Sequence, residues 1–106
     1  MNQVVKIKLI SKEYSTNEIG VTKVKETGKE VFASVYSVSR AEYYRAGEEG
    51  LRPQAVYAVR SMEYAGQDEI EVNSERLSVY RTYVRVDGRT ELYATKRSGG
   101  NDIITT

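Results

Sequence analysis

Hydrophobic and polar residues alternate along much of this chain with a period of two, the spacing of side chains on opposite faces of a β-strand. In the first such run, Val5, Ile7 and Leu9 share one face. The run that begins at Glu30 is apolar on both faces, which is typical of a strand covered on both sides. We therefore predict strands in the runs Val4–Ile10, Glu30–Val38, Gln54–Ser61 and Ile70–Val72.

The most regular pattern is the closing stretch Leu77–Arg97, in which two β-rich runs flank the pair Asp87-Gly88. An Asp-Gly pair between alternating strands is the strongest short-range signal for a hairpin with a type I′ turn, which needs φ > 0 at both central residues. With a two-residue loop, Val86 would lie opposite Arg89. Val84 would lie opposite Glu91.

The stretch between the first two strong strands is only weakly apolar. Ser11–Asn17 is polar and lacks a clear period, so it is interpreted as a loop. Val21–Thr27 has the composition of an edge strand or an extended arm. Gly28-Lys29 then offers a turn before the strand that begins at Glu30.

One segment has the signature of a helix rather than a strand. Ser39 and Glu42 have the spacing of a capping box, in which the Ser hydroxyl binds the Glu amide and the Glu side chain reaches back. Gly47 or Gly50 would end this helix. Gly47–Gln54 then reads as an exposed, mobile loop. The helix either plugs one end of the sheet or binds a partner.

These elements predict a mainly β fold. We expect a small antiparallel β-barrel or sandwich of about six or seven short strands, with one short α-helix inserted after the third strand. Residues 1–97 would form a single domain, and residues 98–106 a flexible C-terminal tail.

Composition narrows the possible chemistry. The 106 residues include no cysteine and no histidine, which excludes disulfides, thiolate metal sites and an imidazole base. Asp68, Glu69 and Glu71 lack the order of a calcium loop, so we expect neither a metal nor another cofactor. No apolar run reaches the ~20 residues of a membrane span. We interpret the chain as a non-enzyme with no membrane contact.

Charge is unevenly distributed, although the formal net charge is only +1. The acidic segment, residues 61–75, contains five carboxylates and no Lys or Arg, whereas residues 76–106 carry six basic and three acidic side chains. The two regions either pair within one molecule or meet between neighbouring subunits. A head-to-tail contact of the second kind closes into a ring when the rotation per step divides a full turn.

Three motifs, in this order, resemble the phage head–tail joining family, also called head closure, head-completion or head–tail adaptor proteins of tailed phages and prophages. The first is Glu30-Val-Phe-Ala-Ser-Val. The second is Ser39-Arg-Ala-Glu-Tyr-Tyr-Arg-Ala-Gly. The third is Val79-Tyr-Arg-Thr-Tyr-Val-Arg-Val-Asp-Gly-Arg-Thr-Glu-Leu-Tyr. The resemblance spans Val4–Arg97.

The resemblance implies a structural role in the virion. Such proteins form a ring under the portal, close the DNA-filled head and provide the docking surface for the tail. The partners would be the portal or adaptor protein and tail proteins, with non-specific contact to packaged DNA, and assembly would take place in the cytoplasm of the host bacterium. In isolation we expect a monomer. The contact residues would be Glu42, Tyr43, Tyr44, Arg45, Glu48, Glu49, Arg52, Arg81, Tyr83 and Arg85.

A second hypothesis is a small β-barrel module that binds nucleic acid. Aromatic and basic residues alternate in the closing hairpin as they do on nucleic-acid-binding sheets. The near-zero net charge argues against this class, because such binders usually carry a clear basic excess. The residues would be Tyr80, Arg81, Tyr83, Arg85 and Arg89.

Overall fold

The protein is a closed β-barrel in a computed structural model that describes residues 3–96. The strands are β1 (Gln3–Thr16), β2 (Thr22–Tyr36), β3 (Pro53–Arg60), β4 (Glu69–Val72), β5 (Glu75–Val84) and β6 (Arg89–Lys96), with helix α1 (Arg40–Gly47) between β2 and β3 and a 3-10 turn at Ser61–Glu63. The order around the barrel is β1-β2-β3-β6-β5-β4, all antiparallel. The mainly β barrel with one short helix is therefore confirmed.

The core lies inside the barrel and is built from the alternating residues that the sequence pattern identifies. Ile7 and Leu9 point inward from β1. Leu9 pairs with Ile70 of β4, which is also buried. The buried cluster also contains residues from each of the remaining strands: Val31, Ala33, Tyr57, Val59, Val72, Leu77, Leu92 and Ala94. Burying these side chains is the main force that closes the barrel.

β1 and β2 form one long hairpin, and its outer part projects from the barrel. Pairing is continuous from Gln3 opposite Val35 to Thr16 opposite Thr22. The loop predicted at Ser11–Asn17 is therefore wrong, because most of that segment continues β1. The segment is polar because residues 11–30, here called the arm, extend past the core and lie mostly exposed.

Gly28 lies within β2, so the turn predicted at Gly28-Lys29 is also wrong, and the second and third predicted strands are one. Gly28 pairs with Ile10 across the hairpin. A Cβ atom on Gly28 would lie 3.3 Å from Lys8 Cδ and 3.6 Å from Ile10 Cδ1. The glycine thus leaves room for the side chains of the neighbouring strand.

The closing hairpin is confirmed, but its turn and register differ from the prediction. Arg85 donates its backbone N–H to Arg89 O at 2.8 Å, which leaves a three-residue loop. Gly88 has φ +87°, and Asp87 is not in the left-handed region, so the turn is not type I′. Val84 consequently pairs with Thr90 instead of Glu91. Asp87 Oδ1 accepts the Arg89 N–H at 3.2 Å, which stabilises this form of the loop.

Helix α1 begins as the sequence predicts, but its acidic residue does not complete the capping box. Ser39 Oγ accepts the backbone N–H of Glu42 at 3.1 Å, whereas the Glu42 carboxylate binds side chains of the barrel instead of reaching back. Gly50, with φ +81°, ends the turn after the helix.

The loop predicted at Gly47–Gln54 is shorter than expected, since β3 begins at Pro53. Arg52 is fixed to β6, because Thr95 Oγ1 accepts its N–H at 3.1 Å and donates to its carbonyl at 3.0 Å. The predicted tail lies outside the described residues. Within residues 3–96, no helix is both long and apolar enough to cross a membrane.

Candidate functional site

The buried carboxylate of Glu42 joins helix α1 to the outer face of the barrel. Glu42 and Ala46, one helical turn apart, are the buried residues of α1, and Glu42 is only 8% exposed. Its Oε2 accepts the Tyr80 hydroxyl at 2.6 Å and Arg45 Nη2 at 3.0 Å. Its Oε1 accepts Arg81 Nη2 at 3.1 Å. Both oxygens of this carboxylate are therefore occupied within the chain.

These contacts shift the pKa values of the groups involved. Burial alone would raise the pKa of Glu42, but hydrogen bonds from Arg45 and Tyr80 and the positive charges of Arg81 and Arg45 outweigh it, so the pKa lies below its usual value. Burial, and then the hydrogen bond to Glu42, raises the pKa of Tyr80 well above its ordinary value. Glu42 is therefore charged and Tyr80 neutral at neutral pH.

An aromatic layer continues from this cluster along β5 and β6. The Arg81 guanidinium lies 4.1 Å from the centroid of the Tyr93 ring, within the range of a cation–π contact. The Tyr80 and Tyr93 rings meet edge to face at 6.2 Å. Tyr93 donates its hydroxyl to Glu91 Oε1 at 3.0 Å. Tyr93 thus connects Tyr80 and Arg81, which bind the helix, to Glu91. Glu91 in turn lies near a second cation of the hairpin.

That cation is Arg85, which lies near the turn of the closing hairpin. Its Nη2 is 2.7 Å from Asp87 Oδ2, and its Nη1 is 3.7 Å from Glu91 Oε2. Nη1 also donates to the Tyr36 hydroxyl at 3.4 Å. The outer wall of the barrel here carries alternating cations, carboxylates and tyrosines, and we call it the Tyr–Arg wall: Tyr36, Glu42, Tyr80, Arg81, Arg85, Glu91 and Tyr93.

The exposed part of the predicted contact surface lies on α1 and after it. Tyr43 and Tyr44 are 49% and 66% exposed, and their rings meet edge to face at 6.2 Å. Glu48, Glu49 and Arg52 are exposed on the turn that follows. Arg45 Nη1 lies 3.3 Å from Glu49 Oε2. Apart from Glu42, the predicted residues of the helix and its turn thus form one exposed region.

The predicted residues of the closing hairpin divide between two environments. Tyr83 is 56% exposed. Arg81 and Arg85 are partly exposed but already paired with carboxylates of the same chain. Glu42 is buried, so it holds the helix in place and contributes no accessible group.

The pairing of arginines weakens the nucleic-acid hypothesis for this wall. Arg81 pairs with Glu42, and Arg85 with Asp87 and Glu91. A phosphate would have to displace these carboxylates, which reduces the counterion release that drives such binding.

A second exposed surface is the arm, of which the sequence predicts one strand, because Val21–Thr27 is expected to be an edge strand or an extended arm and most of it lies in β2. It carries the exposed hydrophobic side chains Tyr14, Ile19, Val21 and Val24, at 68%, 82%, 48% and 53% exposure. Side chains directly opposite each other across its ladder are complementary, with Glu13 beside Lys25 and Tyr14 beside Val24. This complementarity is the sequence signal that identifies the ribbon.

An ion-pair network fixes the base of the arm to the barrel. Arg76 of β5 binds Glu26 of β2 at 3.1 Å and Glu69 of β4 at 2.8 Å. Glu69 also accepts Lys12 of β1 at 3.1 Å. Among the ion pairs within residues 3–96, Arg76–Glu69 joins residues 76–106 to the acidic segment. The two charged regions therefore meet within one molecule at this corner.

The described part of the chain offers little to a small ligand. No group of three or more His, Cys, Asp or Glu residues in it is placed to hold a metal ion. A shallow, open groove of about 370 Å³ lies between the base of the arm and the segment before β4, lined by Ile10, Ser11, Lys12, Tyr14 and Ala65–Asp68.

No protein-family model matches this chain, and no curated protein and no solved structure is significantly similar to it.

Proposed function

We propose that this chain is a structural connector protein of a tailed-phage or prophage virion. It forms a ring under the portal, closes the DNA-filled head and provides the docking surface for the tail, and it is assembled in the cytoplasm of the host bacterium. The resemblance of the three sequence motifs supports this proposal, as does the barrel with a short helix between β2 and β3.

The observation that carries the proposal is the way the barrel presents Tyr43 and Tyr44. Glu42 fixes α1 to the wall through Tyr80 and Arg81 of β5, so the helix is held in one orientation. The two adjacent tyrosines then project with about half or more of their surface exposed. Rigid, exposed tyrosines are enriched in protein interfaces, because they supply a large contact area at a low entropic cost.

The distribution of charge supports assembly into a ring. Asp68, Glu71 and Glu75 of the acidic segment make no ion pair within residues 3–96. Such carboxylates are available to a basic surface of a neighbouring subunit, and charge complementarity of this kind fixes register and partner choice. A head-to-tail contact of this kind closes into a ring when the rotation per step divides a full turn.

The test is binding of the purified chain to the purified portal protein encoded beside it, followed by native mass spectrometry. The double substitution Tyr43→Ser and Tyr44→Ser should weaken binding about tenfold or more, as expected for aromatic residues at the centre of an interface. Met62→Ser is the matched control, because Met62 is 86% exposed on the 3-10 turn and lies outside the proposed surface. Equal binding of all three proteins would contradict the assigned surface, and absence of any complex would contradict the function.

Nucleic-acid binding is the second candidate, supported by the cation–π contact of Arg81 with Tyr93 and by Tyr83 exposed on the same strand. A gel-shift titration at physiological salt distinguishes the two functions. Tight DNA binding with steep salt dependence, and no portal complex, would favour the nucleic-acid module.

A further inference from the structure

The arm is a two-stranded ribbon with both of its edges open. Within residues 3–96, β4 pairs with β1 only at Lys8–Ile10, and β3 pairs with β2 only at Ser34–Tyr36. The outer half of β1, Glu13–Thr16, and the first half of β2, Thr22–Glu30, therefore have a strand on one side only. An isolated two-stranded ribbon is at best marginally stable in water, and an open edge is a template for another strand.

Every second residue of the arm directs its backbone N–H and C=O groups towards an open edge. Asn17 donates its N–H to Val21 O at 3.0 Å, next to the turn that joins the two strands. Because hydrogen-bonded pairs alternate with non-hydrogen-bonded pairs in an antiparallel ladder, the odd-numbered residues of the arm bond to each other. The even-numbered residues, among them Tyr14 and Val24, direct their N–H and C=O groups to the open edges.

The two edges of one arm match each other when a second copy is placed beside it. In a ring whose arms run side by side, β1 of one copy lies next to β2 of its neighbour, and the two strands are antiparallel. If neighbouring arms are not staggered, the residue pairs found within one arm recur between the two copies. Glu13 of one copy then lies beside Lys25 of the next, and Tyr14 beside Val24. A shift of two residues still places Glu13 beside a cation, Lys23. The charges and the apolar pair are thus complementary on both sides.

We propose that the arms of neighbouring copies of this chain pair edge to edge, with β1 of one arm adding to β2 of the next, so that the ring is held by a continuous antiparallel sheet. The occupant of each open edge is a second copy of this chain. This inference deepens the proposed ring assembly and rests on it. Because each contact covers few residues, it is weak for free subunits and is populated when copies are concentrated.

The contact can be trapped with engineered disulfides, because the chain contains no cysteine. Single variants Tyr14→Cys and Val24→Cys are prepared with tags of different mass, mixed at high concentration and mildly oxidised. A hydrogen-bonded cross-strand pair has a Cα–Cα distance of about 5.5 Å, which a disulfide accommodates. The matched control is Tyr44→Cys mixed with Val24→Cys, because Tyr44 and Tyr14 are almost equally exposed, at 66% and 68%.

The expected result is a heterodimer yield several-fold higher for the Tyr14→Cys and Val24→Cys mixture than for the control mixture. Equal yields would overturn the proposal. A second variant, Val24→Pro, removes an N–H that faces the open edge and leaves the internal ladder bonds intact, as proline at strand edges does. We expect it to abolish the self-association of the wild-type chain in sedimentation velocity at high concentration, with an unchanged circular dichroism spectrum. Self-association equal to that of the wild type would also overturn the proposal.

Neither experiment uses the portal, so the two proposals fail separately. Selective cross-linking without portal binding would retain the arm contact and reject the connector function. Portal binding without selective cross-linking would retain the function and reject the arm contact.

Discussion

The hydroxyl group of Tyr80 donates a 2.6 Å hydrogen bond to the buried carboxylate of Glu42, and this bond joins β5 to helix α1. Hydrogen bonds to a charged group are stronger than those between neutral groups. The helix has only eight residues and would be marginal alone. Its position therefore depends on this carboxylate and on the side chains that bind it.

Removing the phenolic hydroxyl should destabilise the protein without disturbing its packing. We expect Tyr80→Phe to lower the free energy of unfolding by about 1.5 kcal/mol, because the charged acceptor loses one of its donors. Urea denaturation measures the change. Tyr83→Phe is the control and should have almost no effect, because Tyr83 is 56% exposed. Equal effects of the two substitutions would show that the Glu42 contact does not stabilise the fold.

The lowered pKa of Glu42 predicts a specific dependence of stability on pH. A carboxyl group whose pKa is lower in the folded state contributes stability that is fully present above its unfolded pKa, near 4.5, and is lost as the pH falls through the folded pKa. As the pH falls below about 4.5, the free energy of unfolding of the wild type should therefore decrease more steeply than that of Glu42→Gln. Other carboxyl groups titrate in both proteins and cancel in the comparison. Parallel curves from urea denaturation between neutral and acidic pH would contradict the prediction.

Two glycines in β-structure should respond in opposite ways to alanine. Gly88 has φ +87°, so Gly88→Ala should cost about 1 kcal/mol in left-handed strain. Gly28 has no such φ, and the nearest atom to its new Cβ is Cδ of the flexible, exposed Lys8 at 3.3 Å. Gly28→Ala should therefore stabilise the fold by about 0.5 kcal/mol, because it restricts the unfolded chain. Thermal unfolding of both variants checks the sign. A destabilised Gly28→Ala would mean that Lys8 and Ile10 cannot move aside.

The Arg76 network predicts a local effect on the arm. Arg76 is mostly buried and binds Glu26 and Glu69, and its Nε atom has no hydrogen-bond partner within residues 3–96. Arg76→Met should change the global stability by about 1 kcal/mol or less, since such partly exposed ion pairs contribute little. Amide hydrogen exchange in residues 22–30 should nevertheless accelerate, because the base of the arm loses its link to β5. Unchanged exchange there would show that the arm is held by its own ladder alone.

The barrel and the helix could be predicted from the sequence because core residues alternate clearly. Ile7 lies between the exposed residues Lys6 and Lys8, and the pattern identifies its strand without further information. The helix start follows from local chemistry, since Ser39 binds the amide of a residue only three positions away.

The arm could not be predicted in the same way, because its strands do not cover a core. Ser11–Thr16 alternate without an apolar face, so the hydrophobic period gives no signal there. Gly28 predicts a turn because glycine usually interrupts a strand, whereas here it lies within β2 opposite Ile10. The sequence does not predict the role of Glu42 either, because a capping box and a buried hydrogen bond to Tyr80, 38 residues away, have the same local sequence.

Barrel closure depends on β4, which has only four residues and provides the link between β1 and β5. Ile70 of β4 is synthesised about sixty residues after its partner Leu9, so this pairing closes a long loop. The β1–β2 hairpin lies wholly within residues 3–36 and can form while the rest of the chain is still being translated. During that interval the nascent hairpin exposes Leu9 to solvent, which makes the late arrival of β4 the step at which a folding chain is most open to aggregation.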